Sequence, residues 1–316
     1  MKGTFGLGLL CCLAAFGAKA GCTPAGVASP ASYGTISSTL VRTAAQSTSS
    51  SNAGLTCTAG GIALLSDAYF KATITSPRTG MLGPTGDVIA YTIYANNSTA
   101  HPMTRGQAFD FAVNGLLGTA APSVIPLYFT TAVNNVAAGV YTETLNVRWD
   151  WSYCTGLGAL GICLGYDTGS NRISTLTVSM TVANDCTISA PSISFGSAPV
   201  VSAFSTVSQT ISVNCTKGSA YTVGLGDGTH PISVGGRRRM ISGSNYLAYD
   251  IFQSAGSTRW GSVGAARRAS SSAEVFPGNG LGNGSQIFNY NAKIYTDQTT
   301  PPAGSYTDNV VLDVGF

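Results

Sequence analysis

The sequence predicts an all-β protein of two immunoglobulin-like antiparallel sandwich domains, the C-terminal one incomplete because its last strand is missing. Three observations carry the prediction. Short segments alternate apolar and polar residues without a stretch of helical period, Gly/Pro/Asn/Ser turns separate them, and the order of motifs in the first half recurs in the second. Only 9% of the 316 residues are charged, against about 25% in ordinary soluble domains, yet 44% are hydrophobic, enough to bury a core and to argue against wholesale disorder. A net charge of +3 is too small to indicate nucleic acid or an anionic membrane as partner.

The chain opens with Lys2, an apolar run over residues 5–16, and Ala18-Lys19-Ala20 ahead of Gly21-Cys22, a secretory signal with a small-x-small cleavage site. Residues 1–20 are therefore expected to be removed on export. A lipoprotein signal is not expected, because Lys19 stands where such signals carry Leu. No stretch reaches the roughly 18 uncharged apolar residues of a membrane span, so no membrane anchor is expected. Cys11 and Cys12 leave with the signal, and Cys22, Cys57, Cys154, Cys163, Cys186 and Cys215 remain. An even number in an exported chain implies disulfides. Sequence order pairs Cys22 with Cys57, Cys154 with Cys163 and Cys186 with Cys215, out of about 15 possible arrangements.

The first half reads Cys22, Tyr33-Gly34-Thr35, Cys57, Tyr91-Thr92-Ile93-Tyr94, then Ala138-Gly139-Val140-Tyr141-Thr142-Glu143-Thr144. The second reads Cys186, Phe195-Gly196-Ser197, Cys215, Tyr249-Asp250-Ile251-Phe252, then Ala303-Gly304-Ser305-Tyr306-Thr307-Asp308-Asn309. Cys22 lies 119 residues before Tyr141 and Cys186 lies 120 before Tyr306, the signature of one module present twice. The expected division is an N-terminal domain over residues 21–183 and a C-terminal one over 184–316.

The two copies differ at their ends. After Tyr141 the first runs out along a long strand and returns through Leu176, Val178, Met180 and Val182, spaced by two as in a half-buried strand. The second ends after the equivalent of the outgoing strand, residues 310–316, with no return. A sandwich lacking one strand exposes core side chains flanked by unpaired backbone groups, and a strand donated by another chain is the physical remedy. The expected acceptor edge carries Val310, Val311, Leu312, Val314 and Phe316.

The Cys…Phe-Gly…Cys opening and the Ala303-Gly304-Ser305-Tyr306-Thr307-Asp308 close resemble the spore coat protein U domain, the pilin module of archaic, Csu-type chaperone-usher fibres. The resemblance covers the second domain and, more loosely, the first. It implies that the open domain is held by a periplasmic chaperone, then completed at an outer-membrane usher by the N-terminal extension of an adjacent subunit. Cleavage after Ala20 leaves only Gly21 ahead of Cys22, too little to donate. A subunit that accepts but does not donate ends a fibre, and the extra N-terminal domain is similar to the adhesin domain of the family's two-domain tip subunit. The expected location is the periplasm in transit, then the cell surface at the pilus tip.

Along the outgoing strand Leu145, Val147, Trp149, Trp151 and Tyr153 share one face. At about 3.3 Å per residue, residues 141–153 make a strand of roughly 40 Å, and part of it is expected to project beyond the core. The connection that follows, residues 154–166, carries Leu157, Leu160, Ile162 and Leu164 between Cys154 and Cys163, unusual for a loop and the basis for expecting a distal apolar finger. Strand parity brings Ile62, Leu64 and Leu65 and, in another loop, Leu116 and Leu117 to the same end. With Trp151 and Tyr153 these form the expected surface-binding set, gripping a hydrophobic or host surface and supporting biofilm formation. Each buried Leu or Ile would contribute about 1.5–3 kcal/mol.

Enzymatic chemistry has little to draw on. His101 and His230 are the two histidines, each mature cysteine has a disulfide partner, and no spacing singles out a pair among Asp87, Asp110, Glu143 and Asp150. No cofactor or metal is expected. Gly280-Leu281-Gly282-Asn283-Gly284 follows Pro277-Gly278 and reads as a flexible loop rather than a phosphate cradle, and Arg237-Arg238-Arg239, beside Gly235-Gly236, reads as a solvated hairpin turn. Two alternatives remain open. One is a structural pilus or coat subunit, which needs a donor extension; the other is a secreted carbohydrate-binding module using Trp149, Trp151 and Tyr153 as an aromatic platform.

Overall fold

Along Val88–Tyr94 the side chains of Ile89, Tyr91 and Ile93 are buried while Ala90 and Thr92 face out, the period of two of a half-buried strand. The computed structural model describes residues 21–58, 67–117, 124–155, 163 and 165–316. Among these residues the first half forms β1 (Cys22–Pro24), β2 (Ala31–Ser37), α1 (Ser38–Thr43), β3 (Ser47–Ser49), β4 (Leu55–Cys57), β5 (Tyr69–Thr75), β6 (Gly80–Leu82), β7 (Val88–Tyr94), β8 (Pro102–Met103), β9 (Ala108–Asp110), β10 (Tyr128–Thr131), β11 (Gly139–Cys154) and β12 (Tyr166–Ala183). The second half forms β13 (Cys186–Ser189), β14 (Val207–Cys215), β15 (Thr222–Leu225), β16 (Arg238–Ser242), β17 (Asn245–Gln253), β18 (Arg268–Ala269), β19 (Gln286–Ile294) and β20 (Leu312–Gly315). None of the described helices is long and apolar enough to cross a membrane.

In the first domain β11 pairs antiparallel with β12 on one edge and with β5 on the other, and β2 adds to β12 in parallel. The facing layer is β3, β10, β7 and β8, and β6 joins the layers by pairing with both β7 and β11. Tyr141, Leu145, Val147 and Trp149 of β11, Leu176, Val178, Met180 and Val182 of β12, and Ile89, Tyr91, Ile93 and Phe129 opposite them form one core. The second domain sets the sheet β13-β14-β19-β17-β16 against β18-β15-β20 around a separate core that includes Val213, Val223, Tyr249, Trp260 and Phe288.

All three expected disulfides form: Cys22–Cys57, Cys154–Cys163 and Cys186–Cys215. The first and third occupy equivalent places, each joining residues directly opposed in the opening strand pair of its domain. The duplication extends to backbone conformation. Gly34 and Gly196, each following the aromatic of its motif, both have φ of 72°, the left-handed region that glycine enters without a Cβ clash. In β2 this glycine sits where the partner on β12 steps from Ser179 to Thr181. β2 is a strand because β12 lies beside it. Residues 190–197, its counterpart, join no ladder.

The described helix α1, whose Leu40 N–H is capped by the Ser37 hydroxyl at 3.3 Å, is six residues long, too short to leave a 3.6-residue period, and the fold is otherwise strands and turns as expected. Three expectations need correction. The long outgoing strand exists, 16 residues of it, but it does not leave the core before its end, since Trp151, Tyr153 and Cys154 are all buried. Arg238 is not in a solvated turn. It opens β16, is 0% exposed, pairs with Asp250 and donates to the carbonyls of Leu225, Gly226 and Trp260, so its guanidinium is satisfied inside the domain. Its neighbours are also engaged: Arg237 with Asp297 at 2.7 Å, and Arg239 over the Tyr246 ring at 4.1 Å. Finally, residues 280–284 are not a free loop, because Gly280 and Gly282 donate to the carbonyls of Ser219 and Cys215 and the Leu281 carbonyl accepts from Asn135 of the first domain.

That last contact belongs to a polar joint. Only Asn184 and Asp185 separate β12 from β13. The Asp185 N–H donates to Thr216 Oγ1 at 2.8 Å, the Thr216 hydroxyl meets Ser38 Oγ at 2.6 Å, and Lys217 Nζ lies 2.6 Å from Asp87 Oδ1. Burial disfavours the Asp87 carboxylate, but hydrogen bonds from Lys217 and the Ala137 N–H outweigh it and hold the carboxyl below its ordinary range.

Candidate functional site

Two regions combine unusual geometry with the sequence-predicted residues. The first is a groove in the second domain. β20 pairs with β15 on one edge, as β11 pairs with β5, but no described segment lies along its other edge, where β12 lies in the first domain. The result is a groove of about 390 Å³ between Ile193 and Phe195 on one side and Val310 and Leu312 on the other, floored by Ile211, Leu225, Met240, Tyr249, Ile251 and Tyr290. Tyr306 also lines a second hollow of about 400 Å³, between residues 196–204 and 300–306, with Val201, Phe204, Leu247 and Pro302. Of the expected acceptor residues, Val310, Leu312 and Val314 pack against the core. Val311 and Phe316 do not, being 70% and 58% exposed: alternation turns Val311 to the opposite face, and Phe316 shares the parity of the packed residues but lies past the end of β20 at Gly315.

The first domain shows what fits such a groove. There Leu145 is opposed by Leu176, Glu143 by Val178, Tyr141 by Met180 and Gly139 by Val182. Superposing the two Ala-Gly-x-Tyr-Thr motifs places Val310, Asp308, Tyr306 and Gly304 at the positions of Leu145, Glu143, Tyr141 and Gly139. A strand antiparallel to residues 304–310 and parallel to residues 192–197, with apolar side chains at alternate positions, would complete the second sandwich as β12 completes the first.

The second region is the far end of β11 and β12. The Cys154–Cys163 disulfide and a hydrogen bond from the Thr155 N–H to the Gly165 carbonyl at 2.7 Å close the base of the connection. Leu157, Leu160, Ile162 and Leu164 lie outside the described residues, as do Ile62, Leu64 and Leu65. The described residues bordering those loops do converge here: Thr58 bonds Gly21 beside Asp167, and Asp67 Oδ2 accepts from the Tyr166 hydroxyl at 3.2 Å. Leu116 and Leu117 are half-buried against the first core, and the Leu116 N–H donates to the Phe111 carbonyl.

Trp151 and Tyr153 do not contact a surface directly. Trp151 is 3% exposed, and Tyr153 stacks on Phe70 inside the core at 5.2 Å between ring centroids. Trp149 is likewise buried, with its indole N–H on the Ala53 carbonyl at 3.1 Å. The aromatic platform of a carbohydrate-binding module is therefore not on the surface. These rings brace the loop base instead. Asp167 Oδ2 accepts from Trp151 Nε1 at 2.9 Å and from the Cys22 N–H at 2.7 Å, and the Tyr153 hydroxyl lies 3.5 Å from Cys22 Sγ. Burial first, and then the neighbouring Asp167, push the Tyr153 hydroxyl above the tyrosine range. Gly169 is required by the same packing, since a Cβ there would stand 2.3 Å from the Trp151 ring.

Sequence reasoning missed Asp167 and Gly169, which carry no motif. It also missed Arg105, which holds Glu143 at 2.8 Å. The other carboxylates considered for catalysis have cationic neighbours as well: Asp110 with Lys71 at 4.0 Å, Asp150 with Arg148 at 3.3 Å and Asp87 with Lys217.

Comparison with known proteins agrees with the duplication. Residues 11–148 and 172–313 each match the Spore Coat Protein U domain. Among solved structures the chain is similar to one in the CsuC–CsuE chaperone–tip adhesion subunit pre-assembly complex from archaic chaperone-usher Csu pili of Acinetobacter baumannii, with 28% identity and a TM-score of 0.64, covering 93% of this chain and 100% of that one. A chain from a chaperone–tip adhesin complex of CFA/I fimbriae aligns at 12% identity with a TM-score of 0.30, over 90% of this chain and 96% of that one, too slight a likeness to support an argument. No curated protein matches the chain.

Proposed function

The chain belongs to the Spore Coat Protein U domain family, and from that membership we propose that it is an exported chaperone-usher pilus subunit placed at the fibre tip, where it attaches the cell to a surface. The observation that carries the reading is the asymmetry of the two grooves: β12 fills the first, and no described segment fills the second. The open domain accepts a donor strand from the adjacent subunit, with apolar side chains facing Val310, Asp308, Tyr306 and Gly304. Until then a periplasmic chaperone covers the groove, and the outer-membrane usher exchanges one for the other. The likeness to the CsuC–CsuE complex supports the chaperone as partner.

The other end supports a tip position: with the signal cut after Ala20, Gly21 and Cys22 are tied into the first domain through Thr58, Asp167 and the Cys57 disulfide, which withholds them from strand donation. The loops converging beyond Cys154 and Tyr166 form the attachment surface, acting through apolar side chains and multiplied by many fibres per cell to support biofilm formation.

The test is expression of the exported chain in a periplasm with and without its chaperone, followed by intact-complex mass spectrometry. A one-to-one complex, and aggregation without the chaperone, is expected. A soluble, autonomous monomer would overturn the fibre reading and leave a free secreted protein.

A further inference from the structure

Asp167 sits where three parts of the first domain meet: β1 through the Cys22 N–H, the β11 aromatics through Trp151, and the loop base through its own place at the start of β12. It makes no ion pair with any described Lys or Arg. What stands beside it is Gly21. A substituent on the Gly21 Cα would lie 3.7 Å from both Cγ and Oδ1 of Asp167, and the Gly21 nitrogen donates to Thr58 Oγ1 at 3.0 Å. A peptide nitrogen has one hydrogen, which that bond uses. A terminal ammonium has three, and a charge.

We propose that cleavage between Ala20 and Gly21 completes this site, because it creates an α-ammonium group at Gly21 that pairs with the Asp167 carboxylate and locks the loop base only in the processed protein. Hydrolysis of the Ala20–Gly21 peptide bond consumes one water, leaving a carboxylate on the leader and the amine on Gly21. The inference rests on the export reading for the cleavage, while the pairing itself rests on the geometry around Asp167.

The sign of the pH dependence follows. An amine paired with a carboxylate has its pKa raised, so the stabilisation is complete below the ordinary α-amino value of about 7.7–8.0 and is lost as pH rises through the raised value. The titratable groups facing the pair are Asp167 itself and Tyr153, whose hydroxyl is held protonated; Asp67 and Tyr166 bond each other at the rim.

The experiment is pH-dependent acylation of the α-amine by acetic anhydride in the chaperone-bound mature chain, read on the N-terminal peptide by mass spectrometry. The expected midpoint is about one unit above the ordinary range, which is roughly tenfold slower labelling near neutral pH, and Asp167→Asn should return it to that range. An ordinary midpoint in the parent, or one that Asp167→Asn leaves unmoved, overturns the pairing. Should Asp167→Asn fail to fold, a chain that retains Ala20 displaces the amine by one residue without touching Asp167, and the same return is expected. The intact mass of the exported chain tests the cleavage separately. An N-terminus other than Gly21 overturns the processing step, while a Gly21-first chain released from a removable tag still tests the ion pair.

Discussion

The Tyr91 hydroxyl donates to Glu143 at 2.5 Å, and at the equivalent place in the second domain Tyr249 donates to Asp308 at 2.8 Å. Each bond joins a tyrosine of β7 or β17 to the acid of the Tyr-Thr-Glu or Tyr-Thr-Asp motif. Burial and then the neighbouring acid raise the hydroxyl of each tyrosine above its ordinary range, so each stays protonated and donating. The domains differ in what else holds the acid: Arg105 grips Glu143 with two nitrogens, whereas Asp308 accepts from the N–H and hydroxyl of Thr229 at the edge of the groove.

Removing one hydroxyl tests this equivalence. Tyr91→Phe should cost about 1–3 kcal/mol, because it strips a donor from a buried carboxylate, and Tyr249→Phe should cost a similar amount. Urea unfolding of each variant, in a chain whose second groove is closed by an appended strand, measures it. A change below about 0.5 kcal/mol for both would mean the bond is incidental to stability.

The groove can be closed with the chain's own solution. Appending a copy of residues 172–183 after Phe316 through a short turn supplies Leu176, Val178, Met180 and Val182 in the register that the first domain uses. The product should be a soluble monomer that no longer binds a periplasmic chaperone. Replacing those four residues with Asp in the appended copy should restore chaperone dependence, and chaperone capture by both chains alike would sink the assigned register.

Attachment should depend on the loop beyond Cys154. Replacing Leu157, Leu160 and Ile162 with Ser should abolish binding of assembled fibres to a hydrophobic surface while fibre length and number, counted by electron microscopy, stay the same. Undiminished attachment would remove the finger from the mechanism.

The joint should be acid-sensitive through Asp87. Its carboxyl is held below the ordinary range, so its contribution is complete above about pH 4 and is lost as pH falls through the folded value. In the self-completed chain, Tm should therefore fall between about pH 4 and pH 2 by more in the parent than in Asp87→Asn. Parallel curves would show that the Lys217 contact carries no net stabilisation.

Much of this architecture was legible because the duplicated motifs place constraints on backbone pairing. Cysteines opposite one another, a glycine after an aromatic, and apolar residues every second position between Leu176 and Val182 each demand one local geometry. The site was less legible. Trp151 and Tyr153 share a face with Leu145 and Val147, and parity gives the same answer for a side chain in the core as for one beyond it; only the neighbouring aromatics decide, Phe70 on the paired strand β5 and Phe111 just after β9. Arg238 was misread because a run of three arginines gives no hint that one has Asp250 as an internal partner 12 residues away. Asp167 gave no signal at all, since its role depends on residues 145 positions apart meeting in space.

The strand β12 has one more consequence, a mechanical one. It begins beside the distal disulfide, runs 18 residues with one irregularity of its ladder at Ser170 and Asn171, and ends with two residues left before Cys186 of the next domain. Tension applied at the outer loop and resisted at the second domain would therefore load β12 along its own axis. Its ladder with β11, from Cys154 opposite Tyr166 to Gly139 opposite Val182, would be sheared, so that many hydrogen bonds must yield together instead of peeling one at a time. Beyond the short connector the load passes into a strand pair stapled by Cys186–Cys215. The same strand that makes the first domain self-sufficient is thus the cable running through it.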